Sequence, residues 1–364
     1  MQNLSKNKTF ISTILLSLVL ALLLTACSNP SKEQDKEIKI AILNYASDDT
    51  FINSVNDKLA ESLRKRDAEL KKIDKELSLS FDTFSANNSQ INQNQQVERL
   101  VQQDYDVLIV NIVNRTKSAQ VIEMAKKWDT PVIFFNREPV PEDLAIWDQA
   151  YYVGTAAGKE GRLQGEMLIE DLEADFAAVD KNSDGVIQYV MLEGETGHQD
   201  AILRADASVE TVKAAGYELE QLASKHADWL ISRAYALTNS WIEAYPEDIE
   251  VIFSNNDDMA IGAIKAIEDN PNSYYRENPP YIYGIDATPS GLKAVESGKM
   301  RGTVVNDGAN IAGAMADLAI YLSTDIELES EYLRNMENNK IRIPSRIVNS
   351  ENIAAELELS SRVK

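Results

Sequence analysis

The chain has 364 residues, a formal net charge of −22 at pH 7 and one cysteine. A surface this acidic repels phosphate groups, and no basic cluster interleaved with aromatic residues occurs, so we exclude nucleic acid as a partner. The single cysteine excludes an internal disulfide framework, and the length favours two domains over one.

The N-terminal segment has the layout of a lipoprotein signal peptide. Two lysines precede an apolar run over residues 10–24, and a small residue stands before Cys27. The run Leu24-Thr25-Ala26-Cys27 resembles a lipobox, in which the cysteine is acylated and becomes the first residue of the mature chain. A chance cysteine beside a signal peptide is the alternative. We predict a signal peptide over 1–26, a lipidated Cys27, a flexible tether over 27–36 and an extracytoplasmic location at the membrane through the lipid anchor.

Beyond residue 36, short apolar runs alternate with longer segments whose apolar residues recur at helical spacing. This alternation predicts parallel β-sheets covered on both faces by helices, which is the α/β fold class. Predicted strands cover residues 39–43, 107–111, 131–135, 186–192, 251–254, 281–285 and 303–305. Predicted helices include residues 53–66, 119–128, 156–172, 201–215 and 259–268.

Polar and aromatic side chains lie near the ends of these predicted strands. In open α/β sheets, ligands bind outside the carboxyl ends of the strands, where loops converge. Carboxylates and amides suit a sugar because each can pair with neighbouring hydroxyl groups, and aromatic rings can stack on the apolar faces of a pyranose. Each residue alone could instead be a helix cap or a core side chain, but their shared edge favours a site. The candidates are Asp49, Phe51, Asn111, His198, Asp200, Trp229, Asn256, Asp286 and Asn306.

Residues 180–188 match the first nine positions of an EF-hand-type calcium loop. Oxygen-bearing side chains stand at positions one, three, five and nine, glycine stands at position six, and a backbone carbonyl is available at position seven. An ordinary turn rich in Asp, Asn and Gly is the alternative. The predicted ligands are Asp180, Asn182, Asp184, the carbonyl of Val186, and Gln188.

The loop lacks the carboxylate that an EF-hand carries at position twelve, where Met191 stands. Glu250 opens a predicted strand, as Gln188 does, and parallel neighbouring strands begin at the same edge of a sheet. Glu250 is therefore predicted to complete the calcium shell. Glu193 is the rival, but it lies at the far end of its own strand.

Seven segments of the chain form a distinctive set. They are Ser47-Asp-Asp-Thr-Phe51, Pro131-Val-Ile-Phe-Phe-Asn-Arg-Glu-Pro139, Ala150-Tyr-Tyr-Val-Gly-Thr155, Gly194-Glu-Thr-Gly-His-Gln-Asp200 with Arg204, Asn255-Asn-Asp257, Gly284-Ile-Asp-Ala287 and Gly302-Thr-Val-Val-Asn-Asp307. The order and spacing of these segments match a known family. From residue 37 to the end, the chain resembles the galactose/glucose-binding proteins of the type I periplasmic binding protein family, which serve methyl-galactoside ABC transporters.

The resemblance implies a sugar site with defined roles. Phe51 and Trp229 would stack on the two faces of the sugar, and Asp49 would serve the hydroxyl that distinguishes glucose from galactose, so both hexoses are implied ligands. The calcium ligands of the family fall on the same loop, with Glu250 as the remote carboxylate. The implied hydrogen-bonding residues are Asp49, Asn111, His198, Asp200, Arg204, Asn256, Asp286 and Asn306.

The resemblance also implies two Rossmann-like domains with parallel sheets, joined by a three-crossing hinge. The first domain would take residues 37–130 and 307–342, and the second residues 131–306 and 343–364. The expected form is a lipid-anchored monomer that delivers galactose or glucose to an ABC transporter permease. A chemoreceptor is a further candidate partner.

Other functions fit the sequence less well. Asp49, Asp200 and Asp286 could supply the carboxylate pair of a glycoside hydrolase. Arg204 and His198 would keep such groups ionised, which favours binding over acid catalysis, so we predict no enzymatic activity. A sugar-responsive transcriptional regulator would carry a helix-turn-helix where this chain has its signal peptide. Among binding proteins, the alternative ligand is another sugar such as ribose or xylose.

Overall fold

The computed structural model describes residues 36–271, 274–326 and 328–362, which form two six-stranded sheets flanked by helices. Cys27, the predicted signal peptide and all but the last tether residue lie outside these ranges. Within them, no helix combines the length and apolar character needed to cross a bilayer.

The strands are β1 (Lys36–Asn44), β2 (Leu77–Ser85), β3 (Val107–Val110), β4 (Val132–Phe135), β5 (Ala150–Gly154), β6 (Ile187–Glu193), β7 (Leu219–His226), β8 (Val251–Ser254), β9 (Tyr281–Asp286), β10 (Gly302–Val305), β11 (Lys340–Arg342) and β12 (Ile347–Asn349). The helices are α1 (Thr50–Ile73), α2 (Gln90–Leu100), α3 (Ser118–Lys127), α4 (Pro141–Leu144), α5 (Ala157–Ala174), α6 (Phe176–Val179), α7 (Gln199–Ala214), α8 (Ile231–Ala244), α9 (Asp257–Asp269), α10 (Tyr274–Glu277), α11 (Pro289–Glu296), α12 (Gly308–Ser323), α13 (Glu331–Arg334) and α14 (Ile353–Arg362).

Both sheets are predominantly parallel. The first has the strand order β11-β5-β4-β3-β1-β2, and all of its pairs are parallel. The second has the order β12-β10-β9-β8-β6-β7, and in it only β12 is antiparallel to its neighbour. The predicted fold class of two Rossmann-like α/β domains is confirmed.

The chain passes between the two sheets three times: between β5 and α5, between β10 and α12, and between β11 and β12. The prediction that the first domain ends at residue 130 is wrong, because β4 pairs with β3 and β5 pairs with β4. Hydrophobic runs predict a strand but not the sheet that the strand joins. The first domain therefore contains residues 36–154 and 308–342, and the second contains residues 157–305 and 347–362.

Alternate residues of the central strands enter opposite hydrophobic cores. Ile40 and Ile42 pack with α1 and α12 on one face of the first sheet, whereas Ala41 and Leu43 pack with α2 and α3 on the other. The second sheet repeats this arrangement, with α8 and α9 on one face and α5 and α7 on the other. Strands buried on both faces are rigid supports for the loops at their ends.

Helices α5 and α7 pack closely because α5 carries glycine at their contact. A Cβ atom added to Gly161 would lie 2.4 Å from the carbonyl oxygen of Arg204, whereas one added to Gly158 would meet nothing within 4 Å. We expect Gly161→Ala to lower the free energy of unfolding by about 1–3 kcal/mol. Gly158→Ala, the matched control on the same helix, is expected to raise it by up to about 1 kcal/mol. Urea unfolding measures both, and equal stability of the two variants would contradict this account of the packing.

Candidate sugar-binding site

A pocket lies where the carboxyl ends of the two sheets face each other. Nine of the ten predicted sugar contacts line it, and they come from both domains. Most of them were selected because they follow predicted strands, whereas Trp229 was selected for its aromatic ring and Arg204 was implied by the family resemblance. These residues are Asp49, Phe51, His198, Asp200, Arg204, Trp229, Asn256, Asp286 and Asn306.

The first domain presents Asp49 at the N-terminus of α1. Its Oδ1 accepts a hydrogen bond from the amide of Ile52 at 2.8 Å, and its Oδ2 accepts one from the hydroxyl of Tyr45 at 2.6 Å. Asp49 is thus a helix cap, and both of its oxygens keep further lone pairs for a ligand. Phe51, in the first turn of the same helix, supplies an apolar wall of the pocket.

The second domain contributes a buried cation among carboxylates. Arg204 donates to Glu160 at 2.8 Å and to the carbonyl of Asn255 at 2.8 Å, and its guanidinium lies 3.9 Å from Asp286. Burial raises the pKa of Asp200 to about 6 and that of Asp286 well above its ordinary value, while Arg204 opposes both shifts. The expectation that Arg204 and His198 keep these carboxyl groups ionised is therefore wrong for Asp286, because the effect of burial outweighs that of the arginine. A carboxyl group still offers an acceptor oxygen, and Arg204 is a fixed donor, a mixture that suits sugar hydroxyl groups.

The turn that carries Asp286 has an unusual backbone. Asp286 has a φ of 115° and Ala287 a φ of 54°. The carboxylate of Asp257 stabilises this turn, because it accepts hydrogen bonds from the amide of Thr288 at 2.7 Å and the hydroxyl of Thr303 at 2.7 Å. Strained backbone persists only where its surroundings hold it in place. Asp257 thus supports the pocket from behind, and it was not among the predicted site residues.

Trp229 and His198 form an aromatic wall, with ring centroids 5.2 Å apart and planes at 79°. Gly194 leaves room for the indole, since a Cβ atom there would lie 2.0 Å from Cζ2 of Trp229. The Nδ1 atom of His198 accepts a hydrogen bond from the amide of Asp200 at 3.2 Å. Burial and nearby arginines lower the pKa of His198 well below its ordinary value. The imidazole is therefore neutral, and its Nε2–H is available as a donor.

Asn111 is the predicted sugar contact that does not line the pocket. It follows β3 and is fully buried, and neither polar atom of its side chain has a hydrogen-bond partner among the described residues. Its backbone carbonyl accepts a hydrogen bond from Gln93 at 2.8 Å. A buried amide without partners costs free energy, and its role as a ligand stays a prediction.

The predicted set omitted two further residues that line the pocket. Asn136 and Arg137 follow β4 directly, and Arg137 is buried. They lie inside one of the seven family-like segments. The rule that selected polar residues after strands would also have selected them.

A larger groove, with a volume of about 860 Å³, adjoins the pocket. The groove and the pocket share Asp49, Trp229 and Asn256. Because its walls come from both domains, a change in the angle between the domains would alter its width.

The predicted calcium loop folds as a tight turn before β6. The amide of Asp184 donates to Asp180 at 3.2 Å, and the amide of Val186 donates to Asp184 at 2.8 Å. The side-chain nitrogen of Asn182 lies 3.0 Å from the side-chain oxygen of Gln188. The oxygen-bearing side chains therefore gather within one loop, and oxygen donors are the ligands that calcium prefers.

Glu250 lies against this loop, whereas the rival Glu193 does not. One carboxylate oxygen of Glu250 accepts from the amide of Lys181 at 2.6 Å, and the other accepts from the amide of Gln188 at 3.0 Å. Glu193 lies at the opposite end of β6, against Ser224. In the described ranges, no group of three or more His, Cys, Asp and Glu side chains has the arrangement of a metal site. Calcium binding therefore stays a prediction.

Comparison with known proteins agrees with this geometry. The periplasmic binding protein domain family matches residues 40–325, which is most of the chain. The chain belongs to the periplasmic binding protein family. This binding protein is 32% identical over 346 residues to the D-galactose/methyl-galactoside binding periplasmic protein of Haemophilus influenzae, and the match covers 94% of the chain and 98% of the relative.

Solved structures share the fold of this binding protein. An ABC transporter periplasmic solute-binding protein of Actinobacillus succinogenes with bound D-allose has a TM-score of 0.71 at 21% identity, covering 87% of this chain and 99% of that chain. A solute-binding protein of Bacillus halodurans with bound myo-inositol has a TM-score of 0.69 at 25% identity. The match covers 90% of this chain and 98% of that chain. The relatives are periplasmic solute-binding proteins and not enzymes, in agreement with the predicted class and with the extracytoplasmic part of the predicted location. The lipid anchor stays a prediction.

Proposed function

We propose that this protein binds D-galactose or D-glucose in the interdomain pocket and delivers it to an ABC transporter permease. The convergence of nine predicted contacts on one pocket carries the proposal. Asp49 and Asp286 supply acceptors for hydroxyl groups, Arg204 supplies donors, and Phe51 and Trp229 supply apolar surface for the ring. The similarity to a galactose-binding relative supports the choice of a hexose.

Transport follows from the division of the contacts between two domains. An open form admits the sugar, and contacts from both domains favour the closed form. The sugar shifts the equilibrium only by the difference between its affinities for the two forms. Closure creates a composite surface that a permease can recognise, and no bond of the sugar is broken.

Isothermal titration of the unlipidated domain, freed of bound sugar, tests the ligand. We expect one-to-one binding of galactose or glucose. We expect weaker binding of ribose, because this smaller sugar has fewer groups to reach both walls of the pocket. Clear binding of ribose without heat from either hexose would keep the fold and overturn the hexose assignment.

We further propose two features outside the pocket. Calcium would be held by the oxygens of Asp180, Asn182, Asp184, Gln188 and Glu250 with the carbonyl of Val186, and would tie the loop to the start of β8. Acylation of Cys27 would anchor the mature protein to the membrane. Labelling of cells with a fatty-acid analogue tests the anchor, since Cys27→Ser should abolish the label.

A further inference from the structure

An ion pair joins the two domains beside the sugar pocket. Arg137 follows β4 in the first domain, Glu195 follows β6 in the second, and Nη2 of Arg137 donates to Oε1 of Glu195 at 2.9 Å. Nη1 of the same guanidinium donates to the carbonyl of Val113 at 2.8 Å, which fixes it to its own domain. The Arg137 side chain is 7% exposed and that of Glu195 is 31% exposed. The pair is therefore screened less by solvent than an ordinary surface pair.

Arg137 also contacts the residue that holds Asp49. Its guanidinium carbon lies 3.7 Å from the centroid of the Tyr45 ring, a cation–π distance, and the hydroxyl of Tyr45 donates to Asp49. Glu195 begins the turn that leads to His198, because its carbonyl accepts from the amide of His198 at 3.0 Å. The ion pair thus connects the residue that holds Asp49 on one wall of the pocket with the turn that holds His198 on the opposite wall.

We propose that Arg137 and Glu195 form a closing contact that sets part of the sugar affinity by favouring the closed form. This inference rests on the proposed sugar-binding function. In this structure, carboxylates from opposite domains line one groove, and Asp49, Glu195 and Asp258 are among them. Arg137 lines the adjoining pocket, and its ion pair with Glu195 offsets part of this negative charge. Separation of the domains breaks the ion pair, so the pair stabilises the closed form alone. The pair therefore raises the apparent affinity for any ligand that requires closure.

Neutral variants of the pair test this inference. We expect Glu195→Gln and Arg137→Met each to raise the dissociation constant for galactose by about tenfold. The double variant should bind no more weakly than the weaker single variant, because both substitutions remove one interaction. Arg301→Gln is the matched control, since Arg301 pairs with Asp171 inside the second domain and lines neither the groove nor the pocket. It should bind galactose as the wild type does.

A measurement on the sugar-free protein separates this inference from the proposed function. Spin labels at the exposed positions 102 and 243 report the distance between the domains. We expect Glu195→Gln to move the population towards the open distance without galactose present, while the unfolding temperature stays unchanged. An unchanged distance distribution, or single-variant effects that add in the double variant, would overturn the closing contact. Failure of the wild type to bind hexoses would overturn the proposed function and leave the distance measurement valid.

Discussion

The Asp286→Ala variant is expected to lose measurable binding of galactose and glucose. Its carboxylate lies at the end of β9, is buried, and faces Arg204 at 3.9 Å. Removal of one partner of a buried hydrogen bond leaves the other unsatisfied and costs about 1–3 kcal/mol. Loss of two such bonds to adjacent hydroxyl groups would weaken binding by about a hundredfold or more. Calorimetric titration with each sugar measures the loss.

Stability distinguishes a lost ligand contact from a lost fold. Burial raises the pKa of Asp286, so ionisation of this group destabilises the folded protein as the pH rises through that pKa. Removal of the carboxylate is therefore not expected to lower the unfolding temperature at neutral pH. Asp48→Ala is the matched control, because Asp48 is exposed and lines the groove but not the pocket. If Asp286→Ala bound galactose as tightly as Asp48→Ala, Asp286 would have no place in the site.

The central strands could be predicted from the sequence because they are continuous apolar runs. β3 and β4 are buried along their whole length. β2 and β7 were missed, since each lies at the edge of its sheet and most of its residues are half-buried or exposed. The three-residue edge strands β11 and β12 were missed too, as was β5, although β5 is interior and buried along its whole length. Polar residues in an edge strand resemble those of a loop. The boundary at residue 130 failed for another reason, since periodicity carries no information about pairing partners.

The pocket residues that directly follow a strand could be predicted from the sequence. Asp286 and Asn306 lie at strand ends and obey a general rule of α/β sheets. Glu160 and Asp257 were missed because they act through other side chains and not through a position at the pocket surface. Glu160 meets Arg204 across a helix contact, and only the tertiary packing of α5 on α7 reveals such a partner.

Calcium is expected to stabilise the domain against heat, and a chelator is expected to reverse the effect. The loop and Glu250 belong to separate segments, so a cation held by both would be absent from the unfolded chain. A ligand at a hundred times its dissociation constant stabilises the folded state by about 2.7 kcal/mol. For a protein of this size, that corresponds to a rise of several degrees in unfolding temperature. Differential scanning calorimetry in calcium and in chelator measures it.

Glu250→Gln is expected to remove most of this calcium dependence. Glu250 also accepts hydrogen bonds from the amides of Lys181 and Gln188, and the loss of those bonds would lower stability equally with calcium and with chelator. Loss of a metal ligand would lower stability only with calcium, so the two conditions separate the two roles. Glu193→Gln should keep the full calcium response, because Glu193 lies at the far end of β6. A wild-type protein that unfolds at the same temperature in calcium and in chelator would rule out the calcium site, and Glu250 would then serve only to join the loop to β8.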